Sequence, residues 1–304
     1  MTTRELSGVI PVLPTPFFDD GSVDEPSLRR LVRYLIDCGV DGITYPGVAS
    51  EFAELSIEER VRLTHAVLDE VNQRVPVVVG LTTPGLDEAK DLLQALGPLN
   101  GVSALMVADL PQKNVTQQIE FFSELAKQSS CPIMLQNVPA PVGAGLAAAD
   151  VLAVVRAVSA IAYVKEETLP SGQRLTQVMA SAPSSLLGVL GGAGGRYITD
   201  ELRRGACGTM PAIELAEVHV ALFRAHRQGQ SDRVRALFTR MLPILNVQAV
   251  FRWSLTKHVL KKRGLISSTR QRAVGPTLDA LDESDVNAFL SDLGDLLMAD
   301  SQLR

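Results

Sequence analysis

Apolar positions recur along the chain in two alternating rhythms. Short apolar runs occur at GVIPVLP (8–14), GITYP (42–46), VPVVVG (75–80), SALMVA (103–108), PIMLQN (132–137), AYVKEE (162–167), SLLGVL (185–190) and ACGTMP (206–211). Each has the length and composition of a buried strand. Between them lie longer stretches with the period of a helix. In DEPSLRRLVRYLIDCG, Leu28, Leu31, Val32, Leu35 and Ile36 form one apolar stripe, and Gly39 is a natural stop. In SIEERVRLTHAVLDEV, Ser56 and Glu59 have the spacing of a capping box.

Strand and helix therefore alternate eight times. Each crossover helix returns the chain to the same edge, so the strands should be parallel. Eight such units close most simply as a (β/α)8 TIM barrel, with an open doubly wound sheet as the alternative. Beyond about residue 213 the strand signal ends. ELAEVHVALFRAHRQG is expected to be the eighth barrel helix. Helical patterns over 231–264 and 283–300, joined by SSTRQRAVGPTLDA, are expected to form a C-terminal helical extension. This divides the chain into a catalytic barrel over 1–228 and a helical domain over 229–304.

Composition narrows the function classes. The 304 residues are 46% hydrophobic and 21% charged, with net charge -5 and pI near 5.5, so nothing marks a nucleic-acid partner. The most basic run, KHVLKKRG (257–264), reads as a solvated helix face. No apolar stretch reaches the ~20 residues of a membrane span. The opening MTTRELSGVIPVLPTPF has prolines where a signal peptide needs an apolar helix. Cys38, Cys131 and Cys207 are widely spaced, and the four histidines show no ligand spacing, so neither a disulfide framework nor a metal is expected. A reduced, cytoplasmic setting fits.

The anomaly is AYVKEETL (162–169), which sets a lysine and two glutamates in an apolar strand, where charge is costly. Side chains alternate along a strand, so Lys165 and Glu167 share a face and Glu166 takes the other. Reacting groups of TIM barrels sit at the C-terminal ends of strands, where Lys165 falls. Desolvation of an amine favours its neutral form, which attacks carbonyl carbon. The resulting protonated imine is an electron sink for breaking or making bonds next to a 2-oxo group. Glu167 would stabilise that cation and move protons nearby. A lysine paired with a glutamate purely for structure is the competing reading.

Taken with GVIPVLPTPFFDDGSVD, GVASEFAELSIEER and MLQNVPAPVG, the VKEE strand resembles the dihydrodipicolinate synthase / N-acetylneuraminate lyase family, from residue 6 to the C-terminal helices. Four stretches in order at the family's spacing carry the likeness. It implies a (β/α)8 barrel with C-terminal helices, a homotetramer built as a dimer of dimers, and no cofactor beyond a covalent imine. Lys165 matches the imine-forming lysine. Val48 and Ala49 occupy positions whose backbone amides and hydroxyls hold the keto-acid carboxylate; here only the amides remain. Gln136 replaces a catalytic tyrosine, Leu110 a second tyrosine, and Pro141 an arginine for the second substrate.

These replacements, with Lys-x-Glu and Ser50-Glu51, are more similar to a subgroup that includes L-2-keto-3-deoxyarabonate dehydratases. In that reading Lys165, Glu167 and Gln136 are catalytic, with Gln136 orienting substrate or water. Val48, Ala49, Ser50, Gly192, Met210 and Arg196 bind a small 2-oxo acid. Glu51 is expected to fix loops, and Tyr45 to pack. The glycine cluster in LGVLGGAGGRYITDELRRG looks like a phosphate cradle and, by the family likeness, lines the cavity. The expected activity is dehydration or aldol cleavage of a 2-keto-3-deoxy sugar acid. The alternatives are 4-hydroxy-tetrahydrodipicolinate synthase, a phosphosugar aldolase, or a non-catalytic keto-acid binder.

Overall fold

Each of the eight apolar runs overlaps a strand that extends at most one residue beyond it, and all eight strands join one parallel sheet. The structure, a computed structural model, describes residues 5–299. The strands are β1 (Gly8–Val9), β2 (Ile43–Tyr45), β3 (Val77–Gly80), β4 (Val102–Ala108), β5 (Ile133–Asn137), β6 (Ile161–Glu166), β7 (Gly188–Gly191) and β8 (Gly208–Thr209). Strands β2 to β8 pair in sequence order, and β8 pairs β1. The ring closes between β1 and β2 through the Val12–Thr44 bridge, where Leu13 N–H donates to Thr44 O (3.0 Å) and Thr44 N–H to Pro11 O (2.9 Å). Pro11 and Pro14 lack amide donors, which keeps β1 short.

Eight helices cover the outside: α1 (Glu25–Cys38), α2 (Ile57–Val71), α3 (Leu86–Leu96), α4 (Val115–Ala126), α5 (Ala148–Ala157), α6 (Ser171–Met179), α7 (Ile198–Arg203) and α8 (Ala216–Arg227). The apolar stripe of α1 is buried at Leu28, Leu31, Val32 and Leu35, and Gly39 caps it in the left-handed conformation (φ 78°). Ser56 and Glu59 form both halves of the capping box on α2.

Alternation along the strands splits the core in two. Val77, Val79, Leu105, Val107, Leu135, Val164 and Val189 face the helices. Val78, Ala104, Met106, Met134, Tyr163, Leu190 and Met210 fill the barrel interior in a separate cluster. The interior side chains continue two residues on as Gln136 after Met134 and Lys165 after Tyr163, so polar groups begin where the apolar plug ends.

The extension consists of α9 (Ser231–Lys262) and α10 (Ala280–Asp292), and the boundary expected at 228/229 falls in the turn before α9. α10 corrects the helix read over 283–300. Asp279 caps it, its side chain accepting from the Leu281 and Asp282 amides, and it stops before Gly294; residue 300 lies outside the described residues. KHVLKKRG is also corrected. Lys257 is 1% exposed and Arg263 is buried, while Lys261 and Lys262 alone among its basic residues are exposed. Lys257 pairs with Glu51 and donates to Arg270 O (2.6 Å). Arg263 pairs with Glu217 (2.6 Å). Glu51 also accepts from the Arg272 (2.6 Å) and Ala273 (2.7 Å) amides, so it fixes loops. No helix among the described residues is long and apolar enough to cross a membrane.

Candidate active site

Two consecutive inward positions on β6 and just beyond it place an amine beside a carboxylate. Lys165 Nζ lies 3.2 Å from Glu167 Oε2, and Lys165 is 4% exposed. Gln136, the Cα partner of Lys165 across the β5–β6 ladder, donates its Nε2–H to the same oxygen (2.6 Å). The other oxygen, Oε1, accepts from the Ala193 amide (2.9 Å). Burial by itself would raise the Glu167 pKa. The Lys165 charge, the Ala193 amide and the Gln136 amide overcome that, and hold it below the ordinary carboxylate value. Glu167 is therefore an ionised, oriented acceptor.

Glu166 takes the opposite face, as alternation requires. It sits against the helix layer, where Asn137 Nδ2 (2.8 Å) and the Thr168 amide (2.8 Å) donate to it. Burial pushes its pKa up to about 7 against those bonds.

The glycine cluster does cradle an anion, and the anion is the protein's own. Ala193 (φ 50°), Gly194 (φ 69°) and Gly195 (φ 83°) are successive left-handed residues that turn the Ala193 N–H onto Glu167. A Cβ on Gly192 would stand 2.5 Å from Glu167 Cγ, so this position needs glycine for close approach. The likeness to a phosphate cradle has this contact as its counterpart, since the Ala193 amide already serves Glu167. Gly192 underlies Glu167 rather than walling the cavity.

A cavity of about 180 Å³ opens above the Lys165–Glu167 pair, lined also by Val48, Ala49, Arg196 and Met210. Val48 and Ala49 begin a single 3-10 turn (Val48–Ser50), whose geometry leaves its first amides without an intrahelical acceptor. Ser50 departs from its expected binding role. Its hydroxyl accepts from the Gly47 amide (2.8 Å) and donates to Leu13 O, so it is buried inside the turn it braces. Gln136 lies behind Glu167, outside the cavity lining, with its amide on the carboxylate. Tyr45 is buried with its hydroxyl 3.0 Å from Thr15 Oγ1, and burial raises its pKa, as suits a packing role. Leu110 is buried in the helix-facing core, whereas Pro141 forms part of the cavity wall. Asp109, on β4's exit, accepts from the Val138 (3.3 Å) and Ala144 (3.0 Å) amides and so braces that wall.

Sequence reasoning missed Gln248, Arg252, Trp253 and Thr256, which α9 lays across the cavity mouth. The signal available was a polar stripe at spacing four (Gln248, Arg252, Thr256) beside the single tryptophan. Trp253 Nε1–H donates to Val48 O (2.8 Å), tying α9 to the turn opposite Lys165. Among the described residues no cluster of His, Cys, Asp and Glu is arranged to hold a metal.

Comparison with known proteins agrees with this fold. The L-2-keto-3-deoxyarabonate dehydratase of Azospirillum brasilense is 28% identical over 304 residues, spanning 98% of this chain and 97% of that protein. The probable 2-dehydro-3-deoxy-D-pentonate aldolase YjhH of Escherichia coli K12 is 25% identical over 92% of this chain and 94% of its own. The crystal structure of E. coli K12 YagE, a prophage protein of the dihydrodipicolinic acid synthase family in complex with pyruvate, superposes with TM-score 0.87. It is 25% identical and covers 97% of this chain and 100% of its own. The dihydrodipicolinate synthetase family model matches residues 5–291, nearly the whole chain, and the protein belongs to that family.

Proposed function

We propose that the protein is a lyase that forms an imine between Lys165 and a 2-oxo acid, and that it dehydrates or cleaves a 2-keto-3-deoxy sugar acid. One observation carries the reading: a buried amine opening into a cavity, 3.2 Å from an ionised carboxylate fixed at both oxygens. The similarity to a 2-keto-3-deoxy acid dehydratase and to a probable pentonate aldolase supports the substrate class.

The Lys165 amine adds to the C2 carbonyl and water leaves, giving an iminium that draws electrons from C3. Glu167 stabilises that cation and receives the proton lost next to it. In dehydration, the C3–H and C4–O bonds break, a C3–C4 double bond forms, and hydroxide leaves with a proton as water. Loss of a C5 proton with protonation at C3, then loss of the C5 hydroxyl proton with protonation at C4, turns the C5 carbinol into the aldehyde of the semialdehyde. In aldol cleavage, the C4 hydroxyl loses its proton, the C3–C4 bond breaks with C4 leaving as an aldehyde, and the enamine left on Lys165 is protonated to pyruvate imine. Water returns the lysine in both cases. The Val48 and Ala49 amides hold the C1 carboxylate, with Met210 as an apolar wall.

Borohydride reduction with pyruvate should add a reduced pyruvyl group to Lys165; no adduct would refute the imine. A panel of 2-keto-3-deoxy acids, read for semialdehyde against pyruvate, separates dehydration from cleavage. Condensation of pyruvate with aspartate semialdehyde in the same panel would favour the synthase reading, which the 30% identity to the Chlorobium limicola 4-hydroxy-tetrahydrodipicolinate synthase keeps in play. The proposal extends to a homotetramer, checked by sedimentation, and to a cytoplasmic setting consistent with three free cysteines.

A further inference from the structure

The reacting end of the cavity balances its own charge, and the outer end does not. Lys165 and Glu167 offset each other, and the same holds once the lysine becomes an iminium. The remaining charged side chains lining the cavity are two guanidiniums, Arg196 from the loop after β7 and Arg252 from α9. Gln248 stands between them, its Oε1 accepting from Arg196 Nη1 (2.8 Å). The Arg252 side chain makes no hydrogen bond or ion pair among the described residues. Glu214, which interacts with the Arg196 charge, is buried and has its pKa pushed up to about 7, so near neutral pH it offsets the arginine only in part. A substrate with one carboxylate would leave the occupied cavity with a net positive charge.

The backbone at Arg252 points the same way. Its φ of 32° and ψ of -102° interrupt α9, in a region that a residue with a Cβ rarely adopts. The turn that follows is tied down: Trp253 Nε1–H donates to Val48 O, and Thr256 Oγ1 donates to Arg252 O itself (3.1 Å). A strained residue held by its neighbours, with an unpaired guanidinium at a cavity mouth, is the pattern of a ligand clamp.

We propose that Arg252 and Arg196 form a second anion grip at the cavity mouth, and that the substrate is a 2-oxo acid with a further anionic group at its far end, a carboxylate or a phosphate. This rests on Lys165 marking the near end. Planar guanidinium forks suit both groups, with paired charge-assisted hydrogen bonds.

The test avoids imine chemistry, so the two readings can fail separately. Trp253 is the only tryptophan and lies beside Arg252, so its fluorescence reports occupancy. Glutarate has two carboxylates and no ketone; pentanoate has the same length and one carboxylate. Wild type should bind glutarate at least ~10-fold more tightly than pentanoate, the scale of one charge-assisted pair. R252Q should bring the two within ~3-fold, R252K should restore part of the difference, and R196Q should also reduce it.

Equal binding of the two acids by wild type, or equal weakening of both by R252Q, would overturn the grip. If 4-phosphonobutyrate binds ~10-fold better than glutarate, the grip stands and its natural ligand is a phosphate; the reverse order assigns a carboxylate. Absence of a pyruvyl adduct with glutarate selectivity intact would refute the Lys165 chemistry and leave the grip. A pyruvyl adduct without that selectivity would do the opposite.

Discussion

Glu167 is held in a way that a structural partner for a lysine would not need. An ion pair requires one oxygen, yet here both are engaged, and the glycine loop is bent into left-handed backbone to supply the second donor. Replacing Glu167 with Gln preserves shape but removes the ionised acceptor. Turnover should fall by at least ~100-fold while the pyruvyl adduct on Lys165 still forms; near-normal turnover would reduce Glu167 to scaffolding. Glu214 makes a different residue-scale prediction. The single hydroxyl proton of Thr256 faces two acceptors, Glu214 Oε2 (3.0 Å) and Arg252 O (3.1 Å), a conflict that ends if Glu214 carries its own proton. Burial raises the Glu214 pKa from 4.5 to about 7. The folded state thus binds that proton more tightly than the unfolded chain. Its stabilising contribution is complete below pH 4.5 and is lost as the pH rises through about 7. E214Q, neutral throughout, should match wild type near pH 4.5 and exceed it above pH 7.5, with a difference on the order of 3 kcal/mol at most. Parallel pH profiles of urea midpoints would refute the assignment.

The elements differ in how far they could be read from sequence. All eight strands were legible, because a parallel strand buried on both faces is a continuous apolar run with its own ends. Lys165 and Glu167 were legible through the same rule, as charge that breaks such a run. Ser50 and Gln136 were legible as positions while their contacts were not, since a hydroxyl or amide can serve the protein or a ligand equally well. The loop after β7 was legible as a cradle at the cavity, but not as to which anion it holds. That its anion is Glu167 depends on how closely two strand ends approach, which spacing does not encode. The approach itself is testable. G192A introduces a Cβ where Glu167 Cγ is 2.5 Å away, so the carboxylate must move off its two donors. A shift of about 1 Å in a reacting group costs on the order of 100-fold in rate. The variant should lose kcat to that extent with its circular dichroism unchanged, whereas unchanged kcat would mean that the β7 loop does not set the position of Glu167.

For the molecule as a whole, the expected division into barrel and extension hides a shared site. α9 crosses the cavity mouth and is pinned to the barrel by Lys257 and Glu51, which are 206 residues apart in sequence and both buried. Contacts of that separation leave no periodic trace in a sequence, so the basic run read as a solvated face. Burial pulls the Lys257 pKa down to about 8, with the Glu51 charge opposing it, and the Phe17 ring lies 4.3 Å beneath the ammonium. Such a pair gives little net stability against an apolar substitute, but removing one partner strands the other. K257M leaves the Glu51 carboxylate buried with hydrogen bonds from the Arg272 and Ala273 amides and the more distant Arg272 charge, and should cost up to about 3–5 kcal/mol. The double variant E51Q/K257M strands no charge, so its loss should be smaller than that of K257M alone. Because the same pin sets α9 over the cavity, K257M should also weaken glutarate binding at the Trp253 signal, and the double variant should recover little of it. If stability and binding both return in the double variant, the pair serves only to neutralise charge. If stability returns and binding does not, the pin positions the mouth of the active site.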